Sequence, residues 1–111
     1  MDEAAELKRR TIVLQGDLGH LYRPTQEERN LAAALIAARK SDGGRLTAGA
    51  VRRIVQENTG GDGPVAPLSD LLPLVVNVLE DPEARNSTEG RSALHEVDIL
   101  LDAVVVYQGP S

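Results

Sequence analysis

The sequence predicts an all-α protein, a compact domain of four or five helices with short loops that takes in residues 1–111. Two helices carry clear start signals: a capping box at Thr25 with Glu28, and a hydrophobic staple around Thr47. The last segment, Ser92–Gln108, repeats apolar residues with the period of a helix. Because Cys, Phe and Trp are absent, the core must consist of Leu, Ile, Val and Ala, which suits packed helices.

The first segment, Glu3–Leu21, carries apolar residues at alternating spacings of four and three, as a helical seam does. Gly16 costs such a helix roughly 1 kcal/mol relative to alanine, so we expect the helix to end near Gln15. The competing interpretation is a strand over Thr11–Gln15, since this stretch also favours β structure. In that α+β alternative, the strand pairs with Val104–Gln108.

The second helix begins after Thr25, whose capping box satisfies backbone donors at the helix start. Its apolar stripe lies within residues 31–38, and Asp42-Gly43-Gly44 ends it. The third helix begins after Thr47 as N-cap and stops at Asn58-Thr59-Gly60-Gly61.

The fourth helix is predicted from Leu71 to Glu80, with Ser69 or Asp70 as its cap. Pro73 is compatible with this helix only if it lies in the first turn, where no backbone N–H is needed. The segment Leu74–Leu79 also fits a buried strand, because a short apolar run has no distinguishing period.

The remaining segments are predicted as loops. Gly60–Pro67 is rich in glycine and proline and reads as an ordered loop or a linker. Asp81-Pro82 stops the fourth helix, Glu83–Arg91 is a polar loop, and Gly109–Ser111 is a frayed tail.

The last helix has apolar residues on two separate faces. The second of these, which we call the second apolar face, consists of Ile99, Ala103 and Val106 at i, i+4 and i+7. A peripheral helix of a small domain needs only one apolar stripe. The helix is therefore either central to its own domain or shared with another chain. The broad stripe consists of Leu94, Val97, Leu100, Leu101, Val104 and Tyr107.

Charge differs in sign between the two halves of the chain. Residues 1–53 contain ten Lys or Arg against seven Asp or Glu, whereas residues 54–111 contain two against ten. The net charges are therefore +3 and −8, within a total of −5. This asymmetry is compatible with an anionic partner for the first half, with pairing inside the molecule, or with head-to-tail self-association.

The second and third helices suggest a helix-turn-helix-like DNA-binding regulator as an alternative. In that interpretation Arg45, Arg52 and Arg53 contact phosphates or a groove. The joint over residues 41–45 is longer than the ~3–4-residue turn of the motif, and the chain as a whole is acidic. Binding to nucleic acid is therefore the less favoured hypothesis.

The sequence contains no pattern that we recognise as catalytic machinery, a phosphate loop or a metal site. His95, Asp98 and Asp102 share a helical face, but the first and last lie ~10 Å apart along the axis, which one ion does not readily bridge. We therefore predict a non-enzymatic protein with no cofactor and no metal. No apolar stretch approaches the ~20 residues of a membrane span, and Met1–Arg10 is highly charged, so we expect a cytoplasmic protein without membrane contact.

These observations favour a small non-catalytic interaction protein: an adaptor, an accessory subunit, or a self-associating structural component, cellular or viral. Its predicted partner is another protein chain, either a different one or a second copy of itself. The second apolar face is the predicted interface, through Ile99, Ala103 and Val106.

Overall fold

A computed structural model describes residues 2–58 and 67–107, and the chain is all-α over these residues. None of the segments for which a strand was the alternative is a strand in the described residues, because residues 11–15, 74–79 and 104–106 are all helical. The predictions for residues 59–66 and 108–111 lie outside the described residues. The described helices are α1 (Glu3–Asp17), α2 (Gln26–Ser41), α3 (Ala48–Asn58), α4 (Pro67–Glu80), α5 (Pro82–Asn86) and α6 (Thr88–Val106).

The five longer helices pack as a closed ring around an aliphatic core. In order around the ring, α1 packs on α6, α6 on α2, α2 on α3, α3 on α4, and α4 on α1. The most extensive of these contacts joins α1 to α6. The inward side chains, among them Leu7, Leu35, Val51, Leu72 and Leu100, are fully buried. Burial of such aliphatic surface is the main stabilising term of a domain of this size.

Helix α1 ends in a tight turn rather than in a strand. The helix includes Gly16 and stops at Asp17, two residues later than the sequence predicts. Gly19 has a φ of +87°, which glycine adopts without strain. The turn is closed by an isolated bridge between Leu18 and Tyr22. It delivers the Tyr22 side chain, 3 % exposed, into the core.

The predicted capping box at the start of α2 is confirmed. The Glu28 N–H donates to Thr25 Oγ1 at 3.1 Å, and the Thr25 N–H donates back to Glu28 Oε1 at 3.0 Å. The second oxygen of the same carboxylate, Oε2, accepts from the Tyr22 hydroxyl at 2.7 Å and from the Leu68 N–H at 3.3 Å. Glu28 is 3 % exposed. It therefore joins the start of α2, the turn after α1 and the start of α4.

Tyr22 is the buried partner of this carboxylate. Burial, together with the hydrogen bond to Glu28, raises the pKa of the Tyr22 phenol far above its ordinary value. The phenol is therefore a hydrogen-bond donor throughout the physiological pH range.

Replacing Thr25 by alanine tests the local half of this arrangement. The substitution removes one cap acceptor and leaves the Glu28 contacts to Tyr22 and Leu68 in place. We expect a loss of about 1 kcal/mol in the free energy of unfolding, measured by urea denaturation. An unchanged denaturation midpoint would show that the box does not form in solution.

The prediction for the start of α4 is wrong. The helix already contains Pro67, so Ser69 and Asp70 lie inside it and do not cap it. The Leu68 N–H, a backbone donor in the first turn of α4, instead donates to the carboxylate of Glu28, 40 residues away in the chain. No local sequence pattern indicates this hydrogen bond. Pro73 lies in the second turn, not the first. It is on the exposed side of the helix, where solvent can satisfy the carbonyl that loses its donor.

The predicted polar loop over Glu83–Arg91 is also wrong. Asp81 caps the short helix α5 through the Glu83 N–H at 3.0 Å. Pro82, which the sequence suggested as a stop, occupies the first turn of α5, where proline is favoured. Ser87 then ends α5 and caps α6, since its Oγ accepts from the Gly90 N–H at 2.9 Å. Helix α6 therefore begins at Thr88, four residues earlier than predicted.

Candidate functional site

Helix α6 presents one apolar face to the core and the other to solvent. The predicted broad stripe faces inward, with Val97, Leu100, Leu101 and Val104 at most 1 % exposed. On the second apolar face, Ile99 is 42 % exposed and Val106 is 73 % exposed, and Ala103 between them is partly exposed. The protein's own core therefore does not cover this face.

The two edges of the second apolar face have different chemistry. On one edge, Asp98 and Asp102 both pair with Arg39 of α2, at 3.1 and 3.4 Å. The Asp102 side chain nevertheless remains 61 % exposed. On the other edge, Gln15 of α1 donates to the backbone and side-chain oxygens of Glu96, both at 2.9 Å. Acidic groups thus border the face on both sides.

Helix α1 extends the apolar surface beyond the Gln15 contact. Ile12, one helical turn before Gln15, lies on the same side of α1 and is 47 % exposed. Val13 is similarly exposed, at 51 %, but lies beside Pro67 and Leu71 on the α4 side. Ile12 therefore belongs to the flank that α1 shares with α6, whereas Val13 does not.

The three arginines of the DNA-binding alternative do not form one surface. Arg52 pairs with Glu80 of α4, and this guanidinium lowers the pKa of the Glu80 carboxyl. Arg53 lines a groove between α2 and α3 together with Glu57. Arg45 lines a separate cavity together with Arg85 and Arg91. The sequence pattern did not indicate that these three arginines lie together.

Within residues 2–58 and 67–107, no group of three or more His, Cys, Asp or Glu side chains could hold a metal ion. No helix in these ranges is long and apolar enough to cross a membrane. The loop between α2 and α3 runs from Asp42 to Thr47, which is longer than a helix-turn-helix joint of ~3–4 residues.

Comparisons with known proteins add no assignment. No family model, curated protein or solved structure matches the chain.

Proposed function

We propose that this protein is a small non-catalytic interaction protein whose second apolar face binds another protein chain. The observation that carries the proposal is the exposure of Ile99 and Val106, at 42 and 73 %, on a helix whose opposite face is fully buried. Contiguous apolar residues with polar borders are typical of docking surfaces. Burying an isoleucine and a valine contributes about 1.5–3 kcal/mol each before the costs of association.

The charges around the face support a partner with basic residues. Asp98, Asp102 and Glu96 border it, and the half of the chain that contains them carries a net charge of −8 from ten acidic and two basic residues. The complementary ligand is an amphipathic helix whose apolar stripe is bordered by Lys or Arg. Such a helix lies along α6 with its basic residues beside Asp102, the most exposed of these acids.

A second copy of the chain fits this face less well. In a symmetric antiparallel pairing of two α6 helices, each edge meets the same edge of the other copy. Asp98 and Asp102 of one copy then approach the same residues of the other, and like charges repel. We therefore propose a basic helix of a different protein as the partner and treat self-association as an outcome to be measured.

Two synthetic helical peptides with the same leucine stripe, one bordered by lysines and the other by glutamates, test the proposal. We expect the wild-type protein to bind the lysine peptide and not the glutamate peptide, as measured by fluorescence anisotropy. Ile99→Asn with Val106→Asn removes the apolar contact without changing the charge. This pair should weaken binding by at least about tenfold, given the apolar area removed.

Val13→Asn is the matched control, because this valine is equally exposed but lies on the α4 side of α1. Its binding should equal that of the wild type, and circular dichroism should show all variants folded. Equal binding by the control and the double variant would refute the proposed face. A concentration-dependent dimer in sedimentation, abolished by the double variant, would instead identify a second copy as the occupant.

The DNA-binding alternative has less support from the geometry. Arg52 is already paired, and Arg45 and Arg53 line different grooves. Phosphate contacts need a basic surface that follows the backbone, and these three side chains do not provide one. We therefore do not propose DNA binding as a function of this protein.

A further inference from the structure

A cavity of about 460 Å³ lies between the loop before α3, the short helix α5 and the first turns of α6. Three arginines line it, one from each of these elements: Arg45, Arg85 and Arg91. The apolar part of its lining consists of Leu46, Leu79 and Leu94. We call this the arginine cavity. Its volume is in the range of small-molecule sites, which are about 300–1,000 Å³.

The three guanidinium groups of the arginine cavity are not used by the fold. Among the described residues, Arg45, Arg85 and Arg91 have no side-chain hydrogen bond or ion pair. By contrast, Arg39 and Arg52 pair with acidic residues of neighbouring helices. Of the described residues that line the cavity, Asp98 is the one acid, and it is already paired with Arg39.

Lys and Arg residues are scarce in the second half of the chain, and those present line the arginine cavity. Residues 54–111 contain ten Asp or Glu and only two Lys or Arg, which are Arg85 and Arg91. Both of them line the arginine cavity, where Arg45 from the other half of the chain joins them. In an acidic protein, the cavity is therefore a local concentration of positive charge.

The backbone that carries Arg85 and Arg91 is held in place. Ser87 Oγ donates to the Ala84 carbonyl at 2.8 Å and accepts from the Gly90 N–H at 2.9 Å. Gly90 is buried against Ala84 so closely that a Cβ atom there would overlap the Ala84 carbonyl oxygen. The corner between α5 and α6 thus fixes the spacing of the two arginine backbones.

We propose that the arginine cavity binds a small organic phosphate, with the phosphates on the three guanidinium groups and an apolar or planar body against the leucine wall. Guanidinium groups bind phosphate oxygens through paired N–H donors in a fork geometry. The leucines favour an organic body over an inorganic ion. A nucleoside diphosphate has both parts.

The surroundings of the cavity favour a compact ligand over a nucleic acid strand. A strand extends its phosphates over many ångströms and needs a basic path along its length. Outside the cavity the nearby surface of α5 and α6 carries acids, including Glu83 and Glu89, while Arg52 and Arg53 lie in other grooves. Among the described residues, the lining of the cavity does not include Ile99, Ala103 or Val106, although Asp98 lines the cavity and also borders the second apolar face. The two proposals are tested by different substitutions.

Calorimetric titration with ADP, pyrophosphate and adenosine tests the proposal on the whole protein. We expect ADP to bind at sub-millimolar concentration, pyrophosphate to bind more weakly, and adenosine not to bind. Arg85→Ala with Arg91→Ala should weaken ADP binding by at least about tenfold, because two of the three charge-assisted contacts to the phosphates are lost. Arg45→Ala should weaken it by a smaller factor.

Arg53→Ala is the matched control, an arginine from a different groove whose loss should leave ADP affinity unchanged. Circular dichroism and the thermal midpoint show whether each variant is folded. No binding of ADP or pyrophosphate at millimolar concentration would overturn the proposal, as would equal losses in the control and in the double variant. Equal affinity for ADP and pyrophosphate would overturn the role of the leucine wall. The protein could instead bind duplex DNA tightly and in a salt-dependent way, with Arg53→Ala also weakening that binding. This result would overturn the proposal of a compact site for a small phosphate.

Discussion

Replacing Glu28 by alanine is expected to reduce the free energy of unfolding by about 3–5 kcal/mol, a large share of the stability of a small domain. The substitution leaves the Tyr22 hydroxyl and the Leu68 N–H without their acceptor, and both lie in a buried environment. It also removes half of the capping box. Each buried donor left unsatisfied costs about 1–3 kcal/mol. Urea denaturation at neutral pH measures the loss.

Glu27→Ala is the matched control, because Glu27 precedes Glu28 in the same first turn but is exposed. We expect it to change stability by less than about 0.5 kcal/mol. Tyr22→Phe, which removes only one of the donors to Glu28, should fall between the two variants. If Glu28→Ala is no less stable than Glu27→Ala, the link between α2 and α4 does not exist in solution.

Replacing Gly90 by alanine is expected to reduce the free energy of unfolding by about 3 kcal/mol, which is at the upper end of the usual effect of overpacking a core. An added methyl group overlaps the carbonyl oxygen of Ala84, and backbone atoms cannot move aside as a flexible side chain can. The corner between α5 and α6 must therefore open. Thermal unfolding followed by circular dichroism measures the change.

Gly49→Ala provides the comparison, since Gly49 is also helical but has open space where a Cβ would lie. Alanine there should stabilise α3 by about 0.5–1 kcal/mol through its better helix propensity. Opposite signs for the two substitutions are the expected result. A Gly90→Ala variant that matches Gly49→Ala would show that α5 does not pack against α6 as described.

The features that the sequence predicts correctly depend on neighbouring residues. The capping box needs only Thr25 and Glu28, three residues apart, and Thr47 caps α3 through the Ala50 N–H at 3.2 Å. The two apolar faces of α6 follow from its helical period, but whether the domain itself covers both does not, and in the structure one face is buried and the other is exposed. What the exposed face binds stays a prediction.

The features that sequence reasoning missed depend on distant parts of the chain. The start of α4 is satisfied by Glu28, 40 residues away, so Ser69 and Asp70 were misleading local signals. Pro82 reads equally as a stop for one helix and as the first turn of the next. The arginine cavity brings together side chains from three separate elements. The sequence gives one indication of it, which is that Arg85 and Arg91 are the only Lys or Arg residues after position 53.

We propose that α6 stabilises the fold with one face and binds a partner with the other. Titration of ¹⁵N-labelled protein with the lysine-bordered peptide, followed through the backbone amides by NMR, tests it most directly. We predict that the largest shift changes occur at Ile99, Ala103 and Val106, with Asp102 beside them and little change at Val13. Shift changes that centre on another surface, or none at saturating peptide, would contradict the claim.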